Sequence, residues 1–398
     1  MLWRSERDGK MYKLKTLNKI SEFGLEIITE GGITIDNDAV APDAIMVRSA
    51  SMNEMEFDNN LLCIARAGAG TNNIPVSRCT EKGIVVFNTP GANAEAVKEL
   101  VICALLMASR DVVGGIEWVH SIADKSDDIA AAVEKGKSSF IGPEIAGKTL
   151  GVVGLGAIGA KIANTALELG MKVYGYDPFL SVDAAWRLSS QVKHATDIDT
   201  IYRNCDYITL HVPYIKDSTH HMINKEAFAK MKDGVRIINL ARAELVCDED
   251  LLEAIDSTKV ARYVTDFPNA ITAKAPNTLP IPHLGASTPE SEEKCAIMAA
   301  QEAVDYLLNG NIKNSVNLPN VSLDRMGTTR MCIIHRNVPR MLNHFLDLIG
   351  EANINVAHMI NAPRGEFAYT IIDTDTPIGE SIPDTIQKLD DVIRVRIL

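Results

Sequence analysis

The 398 residues include no run of the 18 or so apolar residues that a membrane-spanning helix requires. The charged start Met1-Leu-Trp-Arg-Ser-Glu-Arg-Asp also lacks the apolar stretch of a secretion signal. Cysteine is scarce and unpaired in pattern: Cys63, Cys79, Cys103, Cys205, Cys247, Cys295 and Cys332 are odd in number, widely spaced and contain no Cys-x-x-Cys. That excludes a disulfide framework and a zinc knuckle, and points to the reducing cytoplasm. Positive charge is in deficit, with 40 Lys and Arg against 52 Asp and Glu for a net charge of −12, and no dense basic stripe. A nucleic-acid or anionic-membrane surface, which must neutralise many phosphates, is therefore not expected. Low-complexity tracts and repeats of solenoid period are absent as well.

What remains is an ordinary globular composition, 46% hydrophobic and 23% charged, in a chain long enough for two or three cores. A second methionine opens Met11-Tyr-Lys-Leu-Lys-Thr, so residues 1–10 read as an extension outside the fold. From Ser21 to Asn88 four short apolar runs alternate with helical patterns: Leu25-Glu-Ile-Ile, Ala44-Ile-Met-Val-Arg, Leu61-Leu-Cys-Ile-Ala-Arg and Ile84-Val-Val-Phe-Asn. Each is a candidate buried parallel strand. Glu95 to Ser109 reads as one long, apolar boundary helix of the kind that supports an oligomer interface.

A second series begins at Lys148 and places five strands at Lys148–Gly154, Lys172–Asp177, Asp206–His211, Val235–Leu240 and Tyr263–Phe267. The helix expected over Pro289–Asn309 can return to the first domain, making that domain discontinuous. Beyond Pro319 the order strand, helix, strand, strand, helix, strand (βαββαβ) is ferredoxin-like. The expected fold class is α/β: two doubly wound Rossmann-like domains plus a small C-terminal ferredoxin-like domain.

The sharpest motif is Gly154-Leu-Gly156-Ala157-Ile158-Gly159, a G-x-G-x-x-G directly after an apolar strand and opening a helix. Gly154 permits the tight turn, Gly156 lets the backbone approach a pyrophosphate, and Gly159 allows close helix packing at an anion-attracting helix N-terminus. Asp177 ends the next strand, 18 residues after Gly159. An acid there accepts hydrogen bonds from an adenosine ribose and repels a 2′-phosphate, which favours NAD over NADP.

Three further segments, Asn239-Leu-Ala-Arg242, Thr265-Asp266-Phe-Pro and Pro282-His283-Leu-Gly-Ala-Ser, join this fingerprint. Together they resemble the D-2-hydroxyacid dehydrogenase family, essentially over the whole chain from Met11. Within it, Arg330-Met-Cys-Ile-Ile-His335-Arg-Asn337-Val-Pro339 looks like the ACT domain of the phosphoglycerate-oxidising branch. The resemblance implies a substrate-binding domain over 11–94 and 287–320, an NAD-binding domain over 95–286, and an ACT-like regulatory domain over 327–398. It implies oxidation of 3-phospho-D-glycerate to 3-phosphohydroxypyruvate at the entry to serine biosynthesis. A non-phosphorylated acid of the glycerate or lactate type, and a non-catalytic NAD-binding regulator, are the rival expectations.

Oxidising a secondary alcohol needs a base for the hydroxyl proton and a cation for the carboxylate and developing oxyanion. By resemblance His283 is the acid/base and Arg242 the carboxylate holder. The same resemblance puts Val212, Pro213, Ala241, Asp266, Gly285 and Ala286 against the cofactor. Relatives carry a Glu that orients the histidine, five residues after the Asp matched by Asp266; here that position is Ile271. Lys98 is the candidate compensating cation, or simply a solvated helix residue.

The loop Arg66-Ala-Gly-Ala69-Gly70 offers the backbone N–H groups of Ala69 and Gly70 to a carboxylate. Arg48 and Arg66 lie at corresponding strand ends, suited either to a phosphate or to structural ion pairs. In the tail His335, Asn337 and Asn355 match positions that bind L-serine across a dimer interface, but Arg340 stands where ligand-binding ACT domains have Gly. No metal is expected, and a homodimer or homotetramer is.

Overall fold

The computed structural model describes residues 11–398; the expectation for residues 1–10 lies outside the described residues. The chain divides into two compact units, one holding Ala94–Thr288 and the other the chain before and after it.

The outer unit is built on a parallel sheet of five strands, β1 (Lys13–Thr16), β2 (Thr34–Ile35), β3 (Ala44–Val47), β4 (Cys63–Arg66) and β5 (Val85–Phe87), in the order β2-β1-β3-β4-β5. β3 is buried throughout and β4 over three of its four residues, which is why both read as near-continuous apolar runs. One of the four expected strands is wrong: Leu25–Ile28 lies inside the helix Glu22–Glu30. Its apolar residues Leu25, Ile27 and Ile28 serve a helical stripe with Gly24. A Cβ on Gly24 would stand 2.8 Å from the Ala296 carbonyl oxygen, so this helix touches the helix Pro289–Asn309 backbone to backbone. The strand that pairs with β3 is instead β1, whose short alternation with lysines leaves little apolar signal.

The inner unit carries seven parallel strands: β6 (Thr149–Val153), β7 (Lys172–Tyr176), β8 (Lys193–His194), β9 (Tyr207–Leu210), β10 (Val235–Asn239), β11 (Val260–Thr265) and β12 (Thr278–Pro280). Their order, β12-β11-β10-β9-β6-β7-β8, is the doubly wound arrangement whose order reverses beside β6. The five expected strands are present. The two edge strands, of two and three residues, are too short to show a period. Separate apolar clusters pack against this sheet, around Ile208, Phe228 and Tyr263 and around Leu105, Val152 and Ile162.

In the tail β13 (Thr329–Arg336), β14 (Val356–Arg364), β15 (Phe367–Thr374) and β16 (Val392–Ile397) form an antiparallel sheet in the order β14-β15-β13-β16. With the helices Met341–Glu351 and Ser381–Gln387 this is the βαββαβ pattern. Met331, Ile333 and Ile372 face the tail's own helices through Phe345, Ile349 and Ile386. Cys332, Ile334, Tyr369 and Ile371 point the other way, into a core shared with Phe87, Ala303 and Tyr306. Arginines secure that contact. Arg394 donates to the carbonyls of Leu61, Asn59 and Lys82, while Arg396 and Arg330 donate to the carbonyls of Tyr306, Leu307 and Asn309 at the end of the helix Pro289–Asn309. Cationic donors suit exposed helix C-terminal carbonyls. Among the described residues no helix is long and apolar enough to cross a membrane.

Candidate active site

The carboxyl ends of β6, β7, β9, β10 and β11 carry most of the residues singled out in the inner unit, where doubly wound sheets bind ligands. After β6, Gly154 has φ +89°, and a Cβ there would lie 2.5 Å from the His211 carbonyl oxygen. A Cβ on Gly159 would lie 1.9 Å from the Gly154 carbonyl oxygen, so both positions demand glycine. Gly156 caps the helix Ala157–Glu168, and a Cβ on it would meet nothing within 4 Å. Ala157 and Ile158 form the first turn above that open space. A nucleotide pyrophosphate fits this cradle of bare backbone at a helix N-terminus. Asp177, just past β7, accepts hydrogen bonds from the Leu155 and Phe179 N–H groups, both at 2.9 Å, which ties the acid to the glycine turn.

His211, just after β9 and before Val212 and Pro213, is engaged with Thr209 Oγ1 at 2.8 Å, and burial pushes its pKa down to about 3. It is a neutral packing residue. At the end of β10 the buried Asn239 folds the next turn: its amide donates to the Arg242 carbonyl (2.8 Å) and its oxygen accepts from the Ala241 N–H (3.2 Å). Arg242 itself donates to the Ala241 carbonyl at 2.6 Å, and its guanidinium lies over the Phe267 ring, 5.8 Å from the centroid.

Asp266 is 1% exposed. One carboxylate oxygen accepts from the Gly285 N–H at 3.3 Å and the other is buried without a partner. Burial raises its pKa, opposed by the nearby His283 and Arg242 charges and the Gly285 N–H. His283 is exposed, Ala286 half-buried. What lies against the imidazole is an aromatic ring: Phe267 and His283 centroids are 4.4 Å apart at 48°. Ile271 is exposed, in a turn whose N–H groups at Ile271 and Thr272 donate to Asn269. Lys98 pairs with Glu95, which also takes Lys161 at 2.8 Å. The hydrogen bond that Lys98 donates to Glu95 raises the Lys98 pKa, and the two lysines draw Glu95 down to about 2.

In the outer unit Arg48 and Arg66 come at the paired ends of β3 and β4. Asn18 accepts from the N–H groups of Arg48, Ser49 and Ala50, and Asn73 donates to the Ala50 carbonyl while accepting from Arg66 Nε at 3.0 Å. Asn73 thus stitches the two arginine-bearing loops together. The Arg48 guanidinium reaches Glu292 at 2.6 Å, both side chains being about 40% exposed. Ala69 is exposed and Gly70 half-buried; Asn88 donates to the Ala69 carbonyl. Asn239 and Phe267 lie within the segments that carry the resemblance but receive no role from the sequence, and Asn18, Asn73 and Asn88 receive none either. A strand-end Asn was the available signal for Asn239, and nothing local marks the others.

In the tail, His335 is 2% exposed with both ring nitrogens engaged, by the Arg336 carbonyl (2.8 Å) and by Thr370 Oγ1 (2.9 Å). Asn337 donates to the Gly365 carbonyl and Asn355 to Asp375. Arg340 takes φ +73° just before the helix Met341–Glu351, the left-handed conformation that glycine adopts without strain. Among the described residues no three His, Cys, Asp or Glu are grouped to hold a metal ion.

Residues 103–285 match the family model of the D-isomer specific 2-hydroxyacid dehydrogenase, NAD binding domain. The chain is also 30% identical over 387 residues to D-3-phosphoglycerate dehydrogenase 1 of Saccharomyces cerevisiae, covering 89% of this chain and 78% of the yeast protein. The chain belongs to the D-isomer specific 2-hydroxyacid dehydrogenase family. Another relative is the hydroxypyruvate reductase of Thermotoga maritima, 37% identical over 64% of this chain and 81% of that one. Among solved structures, an NAD+-bound 3-phosphoglycerate dehydrogenase of Entamoeba histolytica superposes with a TM-score of 0.59 at 25% identity, over 77% of this chain and 99% of that one. The chain spans 56% and 51% of the lengths of two further D-3-phosphoglycerate dehydrogenases that it matches, from Archaeoglobus fulgidus and Synechocystis. NAD is the cofactor of its nucleotide-binding domain.

Proposed function

We propose that the chain oxidises 3-phospho-D-glycerate to 3-phosphohydroxypyruvate with NAD, the first step of serine biosynthesis. The observation that carries the reading is the match to the yeast phosphoglycerate dehydrogenase, which runs over 89% of the chain. NAD, when bound, supplies the hydride acceptor. Gly154, Gly156, Ala157, Ile158 and Gly159 hold its pyrophosphate and Asp177 its ribose, with Val212, Pro213, Ala241, Asp266, Gly285 and Ala286 completing the lining. His283 takes the proton from the C2 hydroxyl and returns it in the reverse direction, and Arg242 holds the carboxylate and polarises the C2 oxygen. Imidazole suits proton exchange near neutrality, and the guanidinium fork suits a carboxylate. In the outer unit the N–H groups of Ala69 and Gly70 are suited to clasp a carboxylate, and Arg48 and Arg66 to take a phosphate, Arg48 exchanging its Glu292 partner for it. Lys98, already committed to Glu95, has a structural part.

The tail is proposed as an ACT-like regulatory module for L-serine. Asn337 and Asn355 offer polar groups to the amino acid, and His335 supports them from within the sheet. Calorimetry with L-serine that gives no heat overturns that part. The helix Ala94–Ser109, expected at an oligomer interface, spends Val97, Val101, Ala104 and Leu105 on the inner unit's own core, and self-association as a homodimer or homotetramer draws its support from the helices Val112–Ile122 and Ile129–Gly136, which bury no residue and expose Val112, Ile116 and Ile129. Seven free cysteines suit a cytoplasmic location.

The test is NADH oxidation with phosphohydroxypyruvate beside hydroxypyruvate, pyruvate and 2-oxoglutarate, for the wild type and His283→Ala. Preference for phosphohydroxypyruvate, lost in the variant, supports the reading. Preference for hydroxypyruvate moves the assignment toward the activity of the Thermotoga relative. NADH binding without turnover of any acid overturns catalysis and leaves a nucleotide-binding regulator.

A further inference from the structure

The position matched to the histidine-orienting Glu is Ile271, and Ile271 sits in a turn closed by Asn269 and open to solvent. What occupies the imidazole's flank is Phe267. Its ring lies 4.4 Å from the His283 ring, and the Arg242 guanidinium lies over the same ring at 5.8 Å from its centroid. Phe267 is firmly placed: it follows a strand end where Tyr263, Val264, Thr265 and Asp266 are all buried, and its own N–H donates to Thr265 Oγ1 at 3.1 Å. The adjacent Asp266 accepts from the Gly285 N–H, which draws the histidine's segment onto the same strand end.

We propose that Phe267 is a positioning residue for His283 and Arg242, its ring orienting both side chains in place of a carboxylate. This rests on the reading of His283 as acid/base. An aromatic face can hold an imidazole and a guanidinium through dispersion and its quadrupole, without placing a full negative charge on either. The charged groups beside this ring are Arg242, which lies over its face, and Asp266, on which the charges of both His283 and Arg242 act. Neither replaces the fixed angle that an orienting partner supplies, and the ring does.

The experiment compares Phe267→Ala, Phe267→Leu and Phe267→Tyr in the full chain, by steady-state kinetics with phosphohydroxypyruvate, NADH binding, and NMR of the histidine ring protons. Phe267→Ala and Phe267→Leu are expected to lower kcat at least tenfold with NADH affinity changed less than twofold, and to remove the ring-current shift of the His283 proton. Phe267→Tyr is expected to restore both. Phe267→Leu performing as well as Phe267→Tyr reduces the ring to packing volume and overturns the proposal. So does loss of the ring-current shift with kcat intact, which leaves the assigned reaction standing. A wild type that turns over no acid overturns the assigned reaction itself, and the positioning role with it.

Discussion

Glu302 sits in the middle of the helix Pro289–Asn309, 6% exposed, with one carboxylate oxygen accepting from Asn314 at 2.7 Å and the other buried without a partner. Burial pushes its pKa from 4.5 up to about 8, and the Asn314 hydrogen bond offsets only part of this. The folded pKa exceeds the unfolded one, so the folded protein holds this proton more tightly. The associated stability is complete below about pH 4.5 and erodes as pH rises toward 8. At about 1.4 kcal/mol per pH unit, the loss is about 3 kcal/mol at pH 7 and about 5 kcal/mol above pH 8. Glu302→Gln cannot ionise and keeps the oxygen that Asn314 needs. Its stability should therefore match the wild type near pH 5 and exceed it by a margin that widens with pH. Structural relaxation and water entry reduce the figure, and half of it raises the melting temperature of a chain this long by about 2–3 °C. Thermal and urea unfolding of both proteins at pH 5, 6, 7 and 8.5 make the comparison. A gap that stays constant across that range refutes the assignment of a buried proton to Glu302.

Other perturbations test separate parts of the fold. Asp177→Asn removes the charge that disfavours a 2′-phosphate while keeping an acceptor for the Leu155 N–H, and should raise the NADPH-to-NADH ratio of kcat/KM about tenfold or more, read at 340 nm. An unchanged ratio would assign the preference elsewhere. Arg330→Met leaves Asp373 fully buried without its bidentate partner, both bonds of which are 2.7 Å, and should cost about 3–5 kcal/mol in denaturant unfolding. Adding Asp373→Leu should recover most of that loss. Arg340→Gly relieves a left-handed residue at φ +73° and should stabilise the chain by about 0.5–1 kcal/mol, since the unfolded-state entropy of glycine offsets part of the gain; destabilisation would show that the Arg340 side chain holds the tail together.

The glycine turn after β6 is legible in the sequence because such a turn imposes residues at fixed spacing. Gly154, Gly159 and Asp177 sit where the turn, the helix approach and the next strand end require them. The run Leu25–Ile28 was misread because four residues with three apolar members fit a strand or one face of a helix equally. Only the close approach of Gly24 to Ala296 decides between them, and that contact joins distant parts of the chain. Ile271 could be recognised as a departure, whereas the partner that Phe267 provides instead depends on how two loops meet. Asn73 is of the same kind: its stitch between the Arg48 and Arg66 loops is a property of the folded sheet.

The arginine contacts that fasten the tail also bear on the order in which a nascent chain can mature. Arg394 closes onto the Leu61 carbonyl across a sequence separation of 333 residues, and the outer unit's core takes in residues on both sides of the inner unit. During synthesis the inner unit has all its residues once Thr288 is out, whereas the outer sheet must wait, with the Ala303 and Tyr306 side of its core still missing. Such long-range closure is slow and leaves apolar surface uncovered in the interval. The outer sheet is thus the segment of this chain with the greatest need of a chaperone while the ribosome is still at work.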